Sequence, residues 1–125
     1  MKYGWIIYPK QTINNKFGSN AFGWMKESAA KCGIFVDILF SDNLMMFNGS
    51  TGEFIYNGKR LNLPDFAVMR DYNYSMGMQL ENLGIRVINS AQSMMNARNK
   101  AVTSQLLVKN NVSTPKFMFT KDKNY

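Results

Sequence analysis

The sequence predicts an α/β domain with a doubly wound, mostly parallel sheet, helices on both faces of that sheet and a small β-hairpin insert. Segments of strand character alternate with segments of helical periodicity, which is the pattern of βαβ units. Ile34–Phe40 and residues 65–69 are almost continuously apolar, as is typical of strands covered on both faces. Asn57-Gly58 separates two short strand-like runs and predicts a tight hairpin.

The first third of the chain predicts one βαβ unit. Residues 3–8 are rich in β-formers and end at Pro9, and the irregular polar residues 10–20 predict a loop. Ser19 or Asn20 can then cap a helix whose apolar side chains recur at helical spacing and face the core. These side chains are Phe22, Met25, Ala29 and Cys32. Gly33 can end that helix, and Ile34–Phe40 predicts the second strand.

The middle of the chain predicts a hairpin rather than another βαβ unit. Residues 53–56 and 59–61 have strand character and supply its two arms. Asn57 and Gly58 both tolerate the positive φ that a type I′ turn requires. We expect this hairpin to lie at the edge of the sheet.

Two further strands enclose a second helix. Residues 65–69 predict a buried strand that ends at Arg70, and residues 85–88 predict the fourth strand of the sheet. Between them lies a helix that Asn73 or Ser75 can cap and Gly84 can end. Its apolar positions are Met76, Leu80 and Leu83.

The last part of the chain predicts two helices and the beginning of a strand. Asn89 or Ser90 can cap the first, short helix. Residues 97–109 predict the second, with Val102 and Leu106 facing inward, and Asn111 suits the left-handed residue that ends it. A proline at position 115 favours extended backbone before it, so residues 116–120 predict another strand.

The composition excludes several classes of protein. The 125 residues are 46% hydrophobic, which suffices for one domain with its own core. With one cysteine and no histidine, the chain offers no intrachain disulfide, no His-ligated zinc and no Ser-His-Asp triad. The apolar runs are too short to span a membrane, and the N-terminus is no signal peptide. We therefore expect a soluble, cytoplasmic protein.

The charge is basic but dispersed. The formal net charge is +7, a sign that attracts nucleic acid, nucleotides and other anions. Apart from Lys59-Arg60, however, the basic residues occur singly along the chain. This distribution favours a mildly basic surface over a nucleic-acid-binding surface.

Two local motifs bear on function. Gly18 and Gly23 have the spacing of a phosphate loop, but Trp24-Met25 replaces the lysine and hydroxyl residue that grip phosphate and magnesium, so we reject that interpretation. Arg70 is more informative, because it follows a buried strand at the sheet edge where α/β folds form their ligand crevices. An arginine that merely emerges into solvent is the alternative.

Four motifs then follow one another in the second half of the chain. They are the strand ending in Arg70, Leu80-Glu-Asn-Leu-Gly84 before a strand ending in Asn89, Asn99-Lys100 with Thr103 three residues after the lysine, and the Val112–Pro115 turn. In this order and spacing, over about residues 65–116, they resemble the N-terminal part of ATP-grasp ligases, most closely the RimK-type glutamate ligases and their carboxylate–amine ligase relatives. The family more often has Asp at position 99, Gly at 111 and Pro at 113.

The resemblance implies a division of the chain and a set of binding residues. Residues 1–111 would be a pre-ATP-grasp domain, and residues 112–125 would begin an ATP-grasp domain that is cut short. The full-length enzyme would use ATP and magnesium and would act on an amino acid or peptide. Lys100 would contact the nucleotide, while Arg70, Asn89 and Ser90 would bind the substrate. The resemblance assigns no catalytic and no metal-binding residue to this chain, so we expect no bound cofactor and no ATP turnover by it alone.

Two other functions stay open. A free-standing α/β module that binds a small molecule or a protein partner fits the same pattern, since fold does not determine function. A nucleic-acid-associated protein is favoured only by the net charge. A homo-oligomer is compatible with all of these.

Overall fold

The computed structural model describes residues 1–10, 16–49 and 52–124. The chain is an α/β protein, and its described part contains four α-helices, a four-stranded parallel sheet and a separate three-stranded antiparallel sheet. In chain order the elements are β1 (Lys2–Tyr8), α1 (Lys16–Lys31), β2 (Ile34–Phe40), β3 (Leu44–Phe47), β4 (Glu53–Tyr56), β5 (Lys59–Arg60), β6 (Phe66–Met69), α2 (Tyr74–Asn82), β7 (Arg86–Ile88), α3 (Ala91–Arg98) and α4 (Lys100–Lys109). A 3-10 turn, Ser41–Asn43, joins β2 to β3.

The parallel sheet has the strand order β2-β1-β6-β7. The register places Ile7 of β1 beside Leu39 on one side and Met69 on the other. Because every pairing is parallel, the carboxyl ends of the four strands lie along one edge of the sheet. The predicted parallel sheet is therefore confirmed.

Alternate side chains of β1 belong to two separate apolar clusters. Trp5 and Ile7 pack with Met76 and Leu80 of α2. Ile6 and Tyr8 belong to the other cluster, against which residues of α1 pack. Successive strand residues point to opposite faces of a sheet, so β1 is buried on both faces and reads as an unbroken apolar run.

The Asn57-Gly58 hairpin is confirmed, but its predicted position is wrong. Asn57 and Gly58 have φ values of 50° and 78°, and they connect β4 to β5. The hairpin does not extend the parallel sheet; β4 instead pairs antiparallel with β3, a strand that the sequence analysis missed. The reason is the apolar side chain of Phe54, which is fully buried against Trp5 with ring centroids 5.3 Å apart. The antiparallel sheet thus packs over a face of the parallel sheet.

The first helix begins earlier than predicted, whereas Gly33 follows its end in the left-handed conformation as predicted. The backbone is already helical from Lys16, so the loop predicted over residues 10–20 is wrong for its last five positions, while residues 11–15 lie outside the described part. The helix ends at Lys31, and Gly33 follows with a φ of 68°. Cys32 lies in that turn and is exposed, because helical periodicity no longer applies to it. The prediction of a core cysteine is wrong.

The other helices begin at the polar residues that cap them. The side chain of Asn73 accepts a hydrogen bond from the backbone N–H of Met76 at 3.0 Å and caps α2. Ser90 caps α3 and Asn99 caps α4. The helix predicted over residues 97–109 therefore begins three residues later, because Asn99 interrupts it.

We expect Asn73→Ala to destabilise the protein by about 1 kcal/mol, because the N–H of Met76 loses its acceptor. Asn82→Ala, at the exposed last position of the same helix, is the control and should change the free energy of unfolding by less than about 0.5 kcal/mol. Urea unfolding followed by circular dichroism measures both. Equal effects of the two substitutions would contradict the capping role of Asn73.

The end of the chain differs most from the prediction. No strand forms over residues 112–124, so the strand predicted at 116–120 is wrong for this structure. Phe117 and Phe119 are both exposed. A strand needs a neighbouring strand to pair with, and none lies beside this segment in the described part of the chain. Leu106, expected to face inward from α4, is likewise exposed, whereas Val102 is half-buried.

Candidate functional site

The candidate site begins where β6 and β7 end. The backbone N–H of Arg70 donates to the carbonyl of Ile7 at 2.8 Å, which holds Arg70 beside the end of β1. Asn89 directly follows Ile88, the last residue of β7, just as Arg70 directly follows the last residue of β6. The strand order reverses its direction between β1 and β6, and open α/β sheets form ligand crevices at such a reversal.

Two adjoining cavities open at this edge. The first has a volume of about 190 Å³, and it is lined by Met69, Arg70, Asp71, Tyr72, Asn89 and Met94. The second has a volume of about 450 Å³, and it is lined by Tyr72, Tyr74, Met94, Met95, Arg98, Asn99 and Lys100. Tyr72 and Met94 line both cavities. We call the two together the strand-end cleft.

Three of the four predicted site residues line this cleft. Arg70 and Asn89 lie in the smaller cavity and Lys100 in the larger one. All three side chains are exposed. The sequence motifs that carry them are 11 to 30 residues apart, and the fold brings them to one edge of the sheet. What they bind stays a prediction.

Ser90 has a local role in the structure. Its Oγ accepts a hydrogen bond from the N–H of Ser93 at 3.2 Å, and Ser90 does not line either cavity of the cleft. Glu81 of α2 supports the same helix end, because its Oε1 accepts from the N–H of Ala91 at 3.0 Å. These contacts fix the start of α3, whose side chains form one wall of the cleft.

The packing of α2 on α3 also positions that wall. A Cβ added at Gly77 would lie 3.1 Å from the Cβ of Ala91, so the two helices approach closely at this point. Ala91 and Met94 are buried on the side of α3 that faces α2. One wall of the cleft is therefore a helix that the core holds in place, while the loop after β6 supplies Arg70, Asp71 and Tyr72.

The start of α4 carries Lys100. The Oδ1 of Asn99 accepts from the N–H groups of Ala101 and Val102, at 3.1 and 3.2 Å. Thr103 ties the same turn to α3 by donating to the carbonyl of Asn96 at 2.7 Å. Lys100 is the first residue of the helix and extends into the larger cavity with its charge exposed.

Arg98 and Tyr72 are cleft residues that the sequence analysis did not assign to ligand binding. The guanidinium of Arg98 lies over the ring of Tyr72, 5.2 Å from the ring centroid. The two residues are far apart in sequence, and no spacing rule connects the loop after β6 with the end of α3. The sequence indicates only that Tyr72, two residues after Arg70, could lie at the same end of the strand.

A wider hollow of about 660 Å³ lies between α4 and the C-terminal segment. Its lining is mostly apolar and includes Val108, Phe117 and Phe119. We place the functional site at the strand-end cleft instead, because binding sites combine an apolar wall with a few convergent polar groups. The cleft has those groups, and it lies at the edge where such sheets bind ligands.

Neither a cluster of metal ligands nor a membrane-spanning helix is present among the described residues. In these residues no three His, Cys, Asp or Glu side chains lie close enough together to hold a metal ion. None of the described helices has both the length and the apolar composition needed to cross a membrane.

The cleft can therefore bind an anion, through Arg70, Arg98 and Lys100, beside an apolar surface formed by Met94 and the ring of Tyr72.

Neither the protein-family models nor the curated protein sequences gave a match to this chain.

Proposed function

We propose that this chain is the substrate-side, N-terminal domain of an ATP-dependent carboxylate–amine ligase of the ATP-grasp type. The observation that carries the proposal is the strand-end cleft. Arg70, Asn89 and Lys100 come from three separate motifs of the family resemblance, and all three line this cleft. Arg70 and Asn89 share this edge because β6 and β7 are parallel neighbours, and the start of α4 adds Lys100 to the same cleft.

The proposal includes a doubly wound fold. The strand order β2-β1-β6-β7 supports it, because consecutive connections lead away from β1 in opposite directions. The two apolar clusters support it as well, since α1 packs on one and α2 on the other. In such a fold the ligand lies across the carboxyl ends of the strands.

Each cleft residue has a role in the proposed ligase. Arg70 binds an anionic group of the amino-acid or peptide substrate, because its planar guanidinium pairs with a carboxylate through two hydrogen bonds. Asn89 offers an amide beside it. Lys100 contacts the phosphates of ATP as a point charge on a flexible stem.

In this proposal the chain contributes to the binding of ATP but not to the binding of magnesium. The exposed ammonium of Lys100 beside Arg98 suits a phosphate group. Magnesium is usually held by one or two carboxylates together with phosphate oxygens and water, and the family resemblance assigns no such carboxylate to this chain. We assign the magnesium ligands and the catalytic residues to an ATP-grasp domain that follows this chain, and we place the enzyme in the cytoplasm.

The open reading frame that contains this chain provides the first test. We expect it to continue for about 150 to 200 residues, one more domain, beyond Tyr125. The full-length product should release ADP when it is supplied with ATP, magnesium and amino acids, whereas the 125-residue chain should not. A frame that stops at Tyr125 would contradict the ligase and would favour a binding module.

Lys100→Ala in the full-length protein should raise the KM for ATP about threefold or more, because one charged contact to phosphate is lost. Lys109→Ala, at the other end of α4, is the matched control and should leave the KM unchanged. Steady-state assays of ADP release measure both. An unchanged KM for Lys100→Ala would make Lys100 a surface lysine.

The alternative function is a free-standing module that binds a small anion. It is favoured by one observation, which is that Arg70, Arg98 and Lys100 line the cleft beside the apolar side chain of Met94. Ligand binding by the 125-residue chain without any ATP-dependent activity of the natural gene product would support the module.

A further inference from the structure

Arg98 meets Tyr72 in the cleft through a cation–π contact. The guanidinium carbon lies over the ring, 5.2 Å from its centroid, and joins the loop after β6 to the last residue of α3. An aromatic ring attracts a cation but carries no opposing charge. The charge of Arg98 is therefore not neutralised by this contact.

The charges of the cleft are unbalanced. Its lining contains three cations, which are Arg70, Arg98 and Lys100, but only one carboxylate, that of Asp71. In the described part of the chain, the salt bridge within 4.0 Å joins Arg60 to Glu53, outside the cleft. The three cations therefore have no acidic partner at that distance, and an anionic ligand would relieve their mutual repulsion.

The cations lie at two positions with an apolar surface between them. Arg70 lines the smaller cavity, and Arg98 and Lys100 line the larger one. The residues common to both cavities are Met94, which is 8% exposed, and Tyr72. A ligand that reaches from one cavity to the other must pass along these two side chains.

We propose that the strand-end cleft is a receptor for a small molecule that carries two oxyanion groups joined by a short apolar linker. One group binds Arg70, the other binds Arg98, and the linker lies on Met94 and Tyr72. Arg98 is then a specificity-determining residue. Carboxylates and phosphates share this chemistry. The inference rests on the cleft being the site of the proposed function, but it requires no ATP and no further domain.

Calorimetric titration of the 125-residue chain tests this receptor directly. The probes are linear dicarboxylates from malonate to suberate, the linear bisphosphates of matching length, and for each the compound of matching carbon number that carries only one of the two groups. We expect the best dianion to bind at least about tenfold more tightly than its monoanion, since it gains a second charge-assisted contact. The tighter series, carboxylate or phosphate, identifies the oxyanion.

Substitutions test which arginine binds each of the two oxyanion groups. Arg98→Met and Arg70→Met should each reduce the advantage of the dianion to about twofold or less, because only one oxyanion then finds a cation. Arg86→Met is the matched control, since Arg86 is exposed on β7 and lines no part of the cleft. Arg98→Lys, which keeps the charge without the planar fork, provides a second variant should Arg98→Met fold poorly, and it should keep less than half of the advantage.

The outcomes separate this inference from the ligase. Equal affinity for dianions and monoanions would overturn the two-point receptor, and so would an equal loss in Arg86→Met and Arg98→Met. Neither result depends on whether the natural gene product turns over ATP, so a failure of the ligase proposal is detected separately.

Discussion

Phe54→Ala is expected to lower the free energy of unfolding by about 3–5 kcal/mol, the largest effect of any substitution considered for this chain. Phe54 is fully buried, and its ring meets that of Trp5 edge to face. Alanine would leave a cavity between the two sheets and would remove an aromatic pair. Domains are stable by only about 5–15 kcal/mol, so this loss is a large part of the total.

Urea unfolding and thermal melting of Phe54→Ala measure this effect. Phe47→Ala is the matched control, because Phe47 lies in the same antiparallel sheet and is 49% exposed. It should change stability by less than about 0.5 kcal/mol. Should Phe54→Ala fail to fold, Phe54→Leu fills most of the volume and should cost about 1 kcal/mol. Equal losses for Phe47→Ala and Phe54→Ala would contradict the packing of one sheet on the other.

Tyr3→Phe is expected to cost about 1–3 kcal/mol at neutral pH. The hydroxyl of Tyr3 donates to Oδ2 of Asp37 at 2.8 Å and accepts from Nε1 of Trp5 at 2.9 Å. Trp5 is fully buried, so its indole N–H would be left without an acceptor in a place that water does not reach. The loss of this one oxygen therefore leaves the indole N–H unsatisfied and removes a hydrogen bond from the half-buried Asp37.

The same contacts make the stability of the protein depend on pH in the alkaline range. Burial, followed by the hydrogen bond to Asp37, raises the pKa of Tyr3 above its ordinary value of 10.0. The folded state therefore favours the neutral phenol, and the unfolded state loses its proton first. The stabilisation is complete below pH 10.0 and is lost as the pH rises through the higher pKa of the folded state.

We expect the difference in unfolding free energy between the wild type and Tyr3→Phe to shrink as the pH rises above 10.0. Urea unfolding at about pH 8 and at about pH 11 measures this difference, on either side of the ordinary tyrosine pKa. A constant difference for Tyr3→Phe across this range would show that the phenol does not titrate with folding.

The local elements could be predicted because their signals lie within a few residues. Asn57-Gly58 can adopt positive φ whatever surrounds it, and Asn73 caps a helix through the N–H three residues ahead. The apolar run of Ile34–Phe40 indicates a strand buried on both faces. Cys32 shows the limit of periodicity, because a helix that ends one residue earlier turns a predicted core residue into an exposed one.

The candidate site likewise combines features that the sequence predicts with features that only the fold decides. The sequence by itself determined that Arg70 and Asn89 follow strands, because this depends on neighbouring residues. It placed Lys100 inside a helix that in the structure begins at this residue. Only the tertiary structure decided that the three line one cleft, that Arg98 stacks on Tyr72, and that β3 and the hairpin form a sheet of their own. These features depend on packing between segments far apart in the chain, such as Phe54 on Trp5, and such packing leaves no periodic pattern in the sequence.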